Sequence, residues 1–101
     1  MEVSVATTNG CVVLGLRGRF DFNAHREFRE AIDNAIGQAD AGEVRVDLGG
    51  VDYLDSSALG MLLMLRDRCK GASKAVSLAN CRGAVKQVLD IANFGKLFQI
   101  V

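Results

Sequence analysis

EVRVDLGGVDYLDSSALGMLLML, residues 43–65, changes its hydrophobic period once, and that change decides the fold. Val44, Val46 and Leu48 fall on one side of an extended chain and Arg45 and Asp47 on the other, the two-residue alternation of a strand with one wet face. The central strands of a doubly wound sheet would be apolar on both faces, so a sheet covered by helices on one side fits better. After Asp55 the spacing predicts a helix of about 15 residues that runs to Lys70 and is stopped by Gly71. Ala58, Leu59, Met61, Leu62, Leu63, Met64 and Leu65 wrap most of its circumference, more than the single stripe of a surface helix. Part of that surface needs cover from the sheet and the other helices or from a partner protein, and flexible Met61 and Met64 suit either role.

Upstream, Glu2 to Ala6 and Cys11 to Arg17 read as two strands joined around Asn9-Gly10, a dipeptide that supplies the positive φ of a tight hairpin turn. From Ala24 to Ala39 the residues Phe28, Ala31, Ile32, Ala35, Ile36 and Ala39 recur at helical spacing, with Arg26, Arg29, Glu30 and Asp33 between them. Downstream, Lys74 to Asn80 reads as a strand. Arg82 to Asn93 reads as a helix with the stripe Val85, Val88, Leu89 and Ala92, ended by Gly95. KLFQIV closes the chain as an edge strand. The order β-β-α-β-α-β-α-β predicts an α/β fold, with a mixed sheet of about five strands and about three helices packed mainly on one face.

The 101 residues hold enough apolar content for one core, and no proline, repeat or low-complexity run marks a linker, so a single domain over 1–101 is expected. Twelve Lys and Arg balance twelve Asp and Glu, which leaves no basic footprint for a nucleic-acid partner. The first ten residues lack the pattern of a signal peptide and no window is long and apolar enough to span a bilayer, so a soluble, cytoplasmic chain without membrane insertion is expected. Cys11, Cys69 and Cys81 are an odd, scattered set without a C-x-x-C pair and read as reduced packing residues. Asp47, Asp52 and Asp55 have no metal-ligand spacing, and G-L-R-G at Gly15 to Gly18 is not a nucleotide fingerprint, so neither metal nor cofactor is expected. A serine hydrolase would need a base beside its nucleophile. The one histidine is His25, at the start of the first predicted helix, and no G-x-S-x-G elbow occurs, so an enzyme is not expected.

There remains the polar cluster D-S-S at Asp55, Ser56 and Ser57, where either Asp55 or Ser56 can cap the helix that begins there. DSSALG behind a V-x-L strand, G-R-F-D at Gly18 to Asp21, and the pattern from Val85 to Gly95 resemble the STAS domain of bacterial anti-sigma-factor antagonists over nearly the whole chain. The resemblance implies a non-enzymatic partner switch. Ser56, the first hydroxyl residue after the Asp, is then the residue phosphorylated by a partner kinase. Asp55 stands beside it, Ser57 neighbours it in the recognition surface, Asp21 lies in the loop facing the site, and the partner is held on the apolar helix at Leu59 and Met61. The implied partners are an anti-sigma factor of the serine-kinase type, or a related regulator, and a PP2C-type phosphatase. Two positions depart from the family pattern: Ala58 stands where many members have Gly, and Arg19 where many have an acidic residue. STAS-like domains also accompany membrane transporters as small cytoplasmic subunits, and in that alternative Ser56 is only a cap.

Overall fold

Asn9 and Gly10 both have positive φ, 50° and 78°, and close a two-residue hairpin turn in the computed structural model, which describes residues 1–38 and 41–101. The turn joins β1 (Glu2–Thr8) to β2 (Cys11–Phe20) in unbroken antiparallel register from Glu2 opposite Arg17 to Thr8 opposite Cys11. The chain then makes a 3-10 turn at Phe22–Ala24, followed by α1 (His25–Ile36), β3 (Glu43–Leu54), α2 (Ser56–Gly71), β4 (Ala75–Ala79), α3 (Gly83–Ile91), a second 3-10 turn at Phe94–Lys96 and β5 (Gln99–Ile100). The expected continuation of α1 to Ala39 lies outside the described residues.

The five strands lie in the order β1-β2-β3-β4-β5, antiparallel between β1 and β2 and parallel from β2 onward. Each parallel crossover moves one place in the same direction, and right-handed crossovers of that kind put every connecting helix on one face. The fold is thus the mixed α/β sheet with one helical layer that the hydrophobic pattern predicts. The core lies between the layers: Val12, Leu14, Leu16 and Phe20 from β2 and Val44, Val46 and Leu48 from β3 meet Phe28 and Ile32 of α1 and Leu62 and Leu65 of α2. Phe20 and Phe28 are in aromatic contact at 5.0 Å between centroids.

The uncovered face carries the polar members of the alternation. Ser77 is buried there and donates to Glu43 Oε2 at 2.8 Å while accepting from Arg45 Nε at 3.2 Å. Arg45 and Glu43 also pair at 3.2 Å, so the polar side of β3 is half-buried and satisfied rather than fully wet.

Two expected stops are corrected. Gly71 is the last residue of α2, and the reversal comes from Ser73 at φ 56°. There the Ser73 N–H donates to the Lys70 carbonyl and the Lys74 N–H to the Cys69 carbonyl, the paired bonds of a Schellman end. At α3 the left-handed residue is Asn93, at φ 59°, and Gly95 sits inside the next turn. Asn reaches this conformation more readily than most residues, and Ser73 holds it at a cost that glycine would not carry.

Candidate functional site

The site begins where β3 stops alternating. Leu48, Val51 and Leu54 are all buried although they are three residues apart, a spacing that a two-residue period cannot produce. The register explains it: Gly15 pairs with Asp47 but Arg17 with Gly50, and Gly18 pairs with Val51 but Arg19 with Tyr53, so β3 carries one extra residue at each of two bulges. Gly50 is required at the first, because an added Cβ would lie 2.8 Å from the Leu16 carbonyl oxygen. Between Val51 and Leu54 the second bulge leaves both Asp52 and Tyr53 facing out.

The register then pairs Phe20 with Leu54, so the next residues, Asp21 and Asp55, lie at the same end of neighbouring parallel strands. Each caps the helical backbone behind it. Asp55 Oδ1 accepts from the Ala58 N–H at 3.2 Å, and Asp21 Oδ1 accepts from the Asn23 N–H at 3.0 Å. Asp55 therefore takes the capping role that the sequence left open between it and Ser56. Ser56 becomes the first helical residue, exposed, and among the described residues its hydroxyl has no side-chain or backbone partner. The N–H groups of Ser56 and Ser57 have no carbonyl one turn behind them and form the positive end of α2.

Ser57 is half-buried in a cleft of about 240 Å³ that it lines with Phe22, His25, Gly60, Met61 and Met64. Met61 is only 4% exposed and belongs to the core, so it meets the surface as part of this cleft rather than as a projecting contact. Leu59 is half-buried against the core and does not line the cleft. The apolar girth of α2 is thus mostly absorbed by the fold: Ala58, Met61, Leu62, Leu65 and Cys69 are buried, and Leu63 is the large side chain left outside.

Two aromatic residues that periodicity did not mark complete the surface. Phe22 is 72% exposed and Tyr53 39%. The available signals were local: Phe22 directly follows a capping Asp, and Tyr53 stands between Asp52 and Leu54 in a segment whose alternation has failed. The Arg19 guanidinium lies 4.0 Å from the Tyr53 ring centre, with its Nε 3.5 Å from Asp21 Oδ2. His25 shares the cleft with Ser57, but no hydrogen bond joins them among the described residues. A larger hollow of about 490 Å³, walled by Met1, Glu2, Arg17, Gly18, Gly50 and Asp52, touches this site only through Asp52. Burial pushes the Cys11, Cys69 and Cys81 thiols above their usual pKa, which keeps them protonated and poor as nucleophiles. No metal-binding cluster occurs, and no helix is long and apolar enough to cross a membrane, among the described residues.

Comparison with known proteins places the fold. Residues 3–101 match the family model described as "Mlab, STAS domain". A STAS-domain containing protein of Pseudomonas aeruginosa (strain UCBPP-PA14) is 46% identical over 89 residues, 88% of this chain and 86% of that one. BtrV of Bordetella bronchiseptica, to which anti-sigma factor antagonism is ascribed, is 28% identical over 102 residues, 99% of this chain and 85% of that one. Among solved structures, the anti-sigma factor antagonist SpoIIAA of Bacillus matches in its unphosphorylated form with TM-score 0.74 and 22% identity, over 99% of this chain and 87% of that one. Its phosphorylated form matches with TM-score 0.74 and 21% identity, over 99% and 91%. With residues 3–101 matched by the family model and its five-stranded, three-helix architecture shared with SpoIIAA, the chain belongs to the STAS-domain family.

Proposed function

We propose that this chain is an anti-sigma-factor antagonist working by partner switching. Unphosphorylated, it binds a serine-kinase-type anti-sigma factor or an equivalent regulator through the surface at the start of α2. Phosphorylation of Ser56 releases that partner, and a PP2C-type phosphatase resets the chain. The observation that carries the reading is that Ser56 is exposed at the first position of α2 while the neighbouring Asp55 does the capping. The serine hydroxyl is spare, so it can be modified without removing a bond the fold uses. BtrV and SpoIIAA, a relative and a structural match, carry the anti-sigma factor antagonist name, which supports this choice of partner class.

A phosphate on Ser56 adds about −1.5 to −2 charges and three strong acceptors. The free N–H groups and positive dipole end of α2 tolerate it in the free chain. Unless it brought matching cations, a partner seated over Phe22, Tyr53 and the cleft would have to desolvate that dianion beside Asp55, Asp21 and Asp52. Each 1.4 kcal/mol of that penalty is a tenfold loss of affinity, so a few kcal/mol turn a submicromolar complex into one that does not persist. Apolar surface holds the partner and the serine lets it go.

The test is a pull-down from host lysate with wild type, Ser56→Ala and Ser56→Asp as parallel baits, read by mass spectrometry. A kinase-like regulator is expected on wild type and Ser56→Ala and absent from Ser56→Asp. If all three baits hold the same protein equally, a transporter ATPase for example, the chain is a fixed subunit and the switch is wrong.

A further inference from the structure

Arg19 brings a cation to the end of the sheet that carries the carboxylates Asp21, Asp52 and Asp55. It stands at the second bulge, opposite Tyr53, and its side chain is 64% exposed. Its hold on Asp21 is weak. The Nε···Oδ2 separation of 3.5 Å is at the limit of a hydrogen bond, and the other carboxylate oxygen of Asp21 is taken by the Asn23 N–H. The terminal guanidinium nitrogens have no acceptor among the described residues. The cation is therefore parked over the Tyr53 ring, with most of its donor capacity unused, at the sheet end where Asp55 passes the chain into Ser56.

Resting on the reading of Ser56 as a phosphorylation site, we propose that Arg19 is the residue that reads the phosphate: it leaves Asp21 and Tyr53 when Ser56 is phosphorylated and pairs with the phosphate. The exchange is a matter of donor and acceptor strength. A single carboxylate oxygen at 3.5 Å and an aromatic face hold an exposed guanidinium only weakly. A phosphate dianion offers three oxygens and accepts a planar guanidinium through two parallel bonds, the stronger and more directional pairing. The neighbouring carboxylates Asp21, Asp52 and Asp55 repel the phosphate, and Arg19 offsets them. The consequence for switching is twofold. Phosphorylation adds negative charge to the docking surface and also takes its cation away, leaving the Tyr53 ring bare. A partner that matched Arg19 with an acidic side chain then faces two changes of the same sign.

Tyr53 is the sole tyrosine of a chain without tryptophan, so near-ultraviolet spectra report its environment directly. The experiment installs phosphoserine at position 56 by encoded incorporation in the full chain, with Arg19 retained and with Arg19→Gln. Unmodified chains serve as references. With Arg19 present, the 31P titration of the phosphate is expected about half a pH unit lower than in Arg19→Gln. The Tyr53 circular dichroism and emission should also change on phosphorylation, and Arg19→Gln should abolish that change. Arg19→Lys, which keeps the charge and loses the planar fork, should recover part of the titration difference. Equal titrations in the Arg19 and Gln chains would overturn the proposal, and so would a shifted titration with an unmoved tyrosine signal. Because the phosphate is installed directly, the result is independent of whether the host modifies Ser56. That separate point is read by phosphosite mapping of the chain recovered from host cells.

Discussion

Asp21 and Asp55 hold nearly the same backbone conformation, φ −128° and ψ −169° against φ −122° and ψ −173°, at adjacent ends of two parallel strands. Each turns its strand into helical backbone and binds a free N–H with one oxygen. The two caps fix the frame of the site. Phe22 is presented by the turn behind Asp21 and Ser56 by the helix behind Asp55, so the apolar and the modifiable parts of the surface sit on neighbouring, similarly anchored supports.

Removal of the two candidate caps of α2 should have unequal effects. Asp55→Ala leaves the Ala58 N–H without its acceptor and is expected to cost about 1 kcal/mol. Ser56→Ala removes a hydroxyl without a partner among the described residues and is expected to stay within about 0.5 kcal/mol of wild type. Urea unfolding of both variants decides the matter. A larger loss in Ser56→Ala than in Asp55→Ala would return the cap to the serine and remove the spare hydroxyl on which the switch depends.

Two left-handed residues offer a gain. Ser73 and Asn93 occupy φ 56° and 59° at the ends of α2 and α3, positions where glycine has no Cβ penalty. Ser73→Gly should stabilise the chain by about 0.5–1 kcal/mol after the entropy glycine adds to the unfolded state. Asn93→Gly should gain less, because Asn tolerates this region better than Ser does. Thermal midpoints that fall in both variants would mean that the side chains contribute bonds the backbone argument omits.

The element order, the hairpin and the one-sided helical layer are legible in the sequence, because each comes from a local period or a turn dipeptide. Alternation carries β3 only to Leu48 of its full course to Leu54, since two bulges break the period and a bulge is a property of the pair, visible only against Gly15 to Arg19 of β2. Glycine misplaces the helix stops, because Ser73 and Asn93 do the turning. At the site, Asp21, Asp55, Ser56 and Ser57 stand out by residue type and motif. Met61 suits either the core or a partner in sequence, because periodicity on an all-round apolar helix cannot tell the face that meets the core, and in the fold it is a core residue that also lines the cleft. Phe22 and Tyr53 leave only local hints, a position after a capping Asp and a lapse in alternation, and the Arg19–Tyr53 contact arises from tertiary placement.

Glycines separate by their surroundings. Gly60 is exposed in α2 with nothing within 4 Å of an added Cβ, so Gly60→Ala should stabilise by about 1 kcal/mol through helix propensity while narrowing the cleft beside Ser57 and Met64. Gly50→Ala should destabilise by 1 kcal/mol or more, as a rough figure, because its Cβ meets backbone that cannot yield. Denaturation midpoints of the pair should move in opposite directions. A neutral Gly50→Ala would show that the bulge is free to relax, and the placement of Asp52 and Tyr53 would then need another cause.

Above neutral pH the buried thiols set a testable slope. Cys69 is fully buried at the inner face of α2, and desolvation, only partly opposed by Lys74 and Arg68, raises its pKa above the usual thiol value. A raised pKa in the folded state means that the unfolded chain gives up this proton first as pH rises. The contribution is complete below the usual thiol pKa and is lost as pH climbs through the raised folded value. Each thiol still protonated in the fold and ionised in the unfolded chain steepens the decline by about 1.4 kcal/mol per pH unit. Urea stability measured from about pH 7 to 10.5, a range that brackets the ordinary thiol pKa, should fall more gently in Cys69→Ala than in wild type, whatever the absolute cost of the substitution. Identical slopes would show that the thiol at this position ionises as easily inside the fold as outside it, and that its burial is not dry.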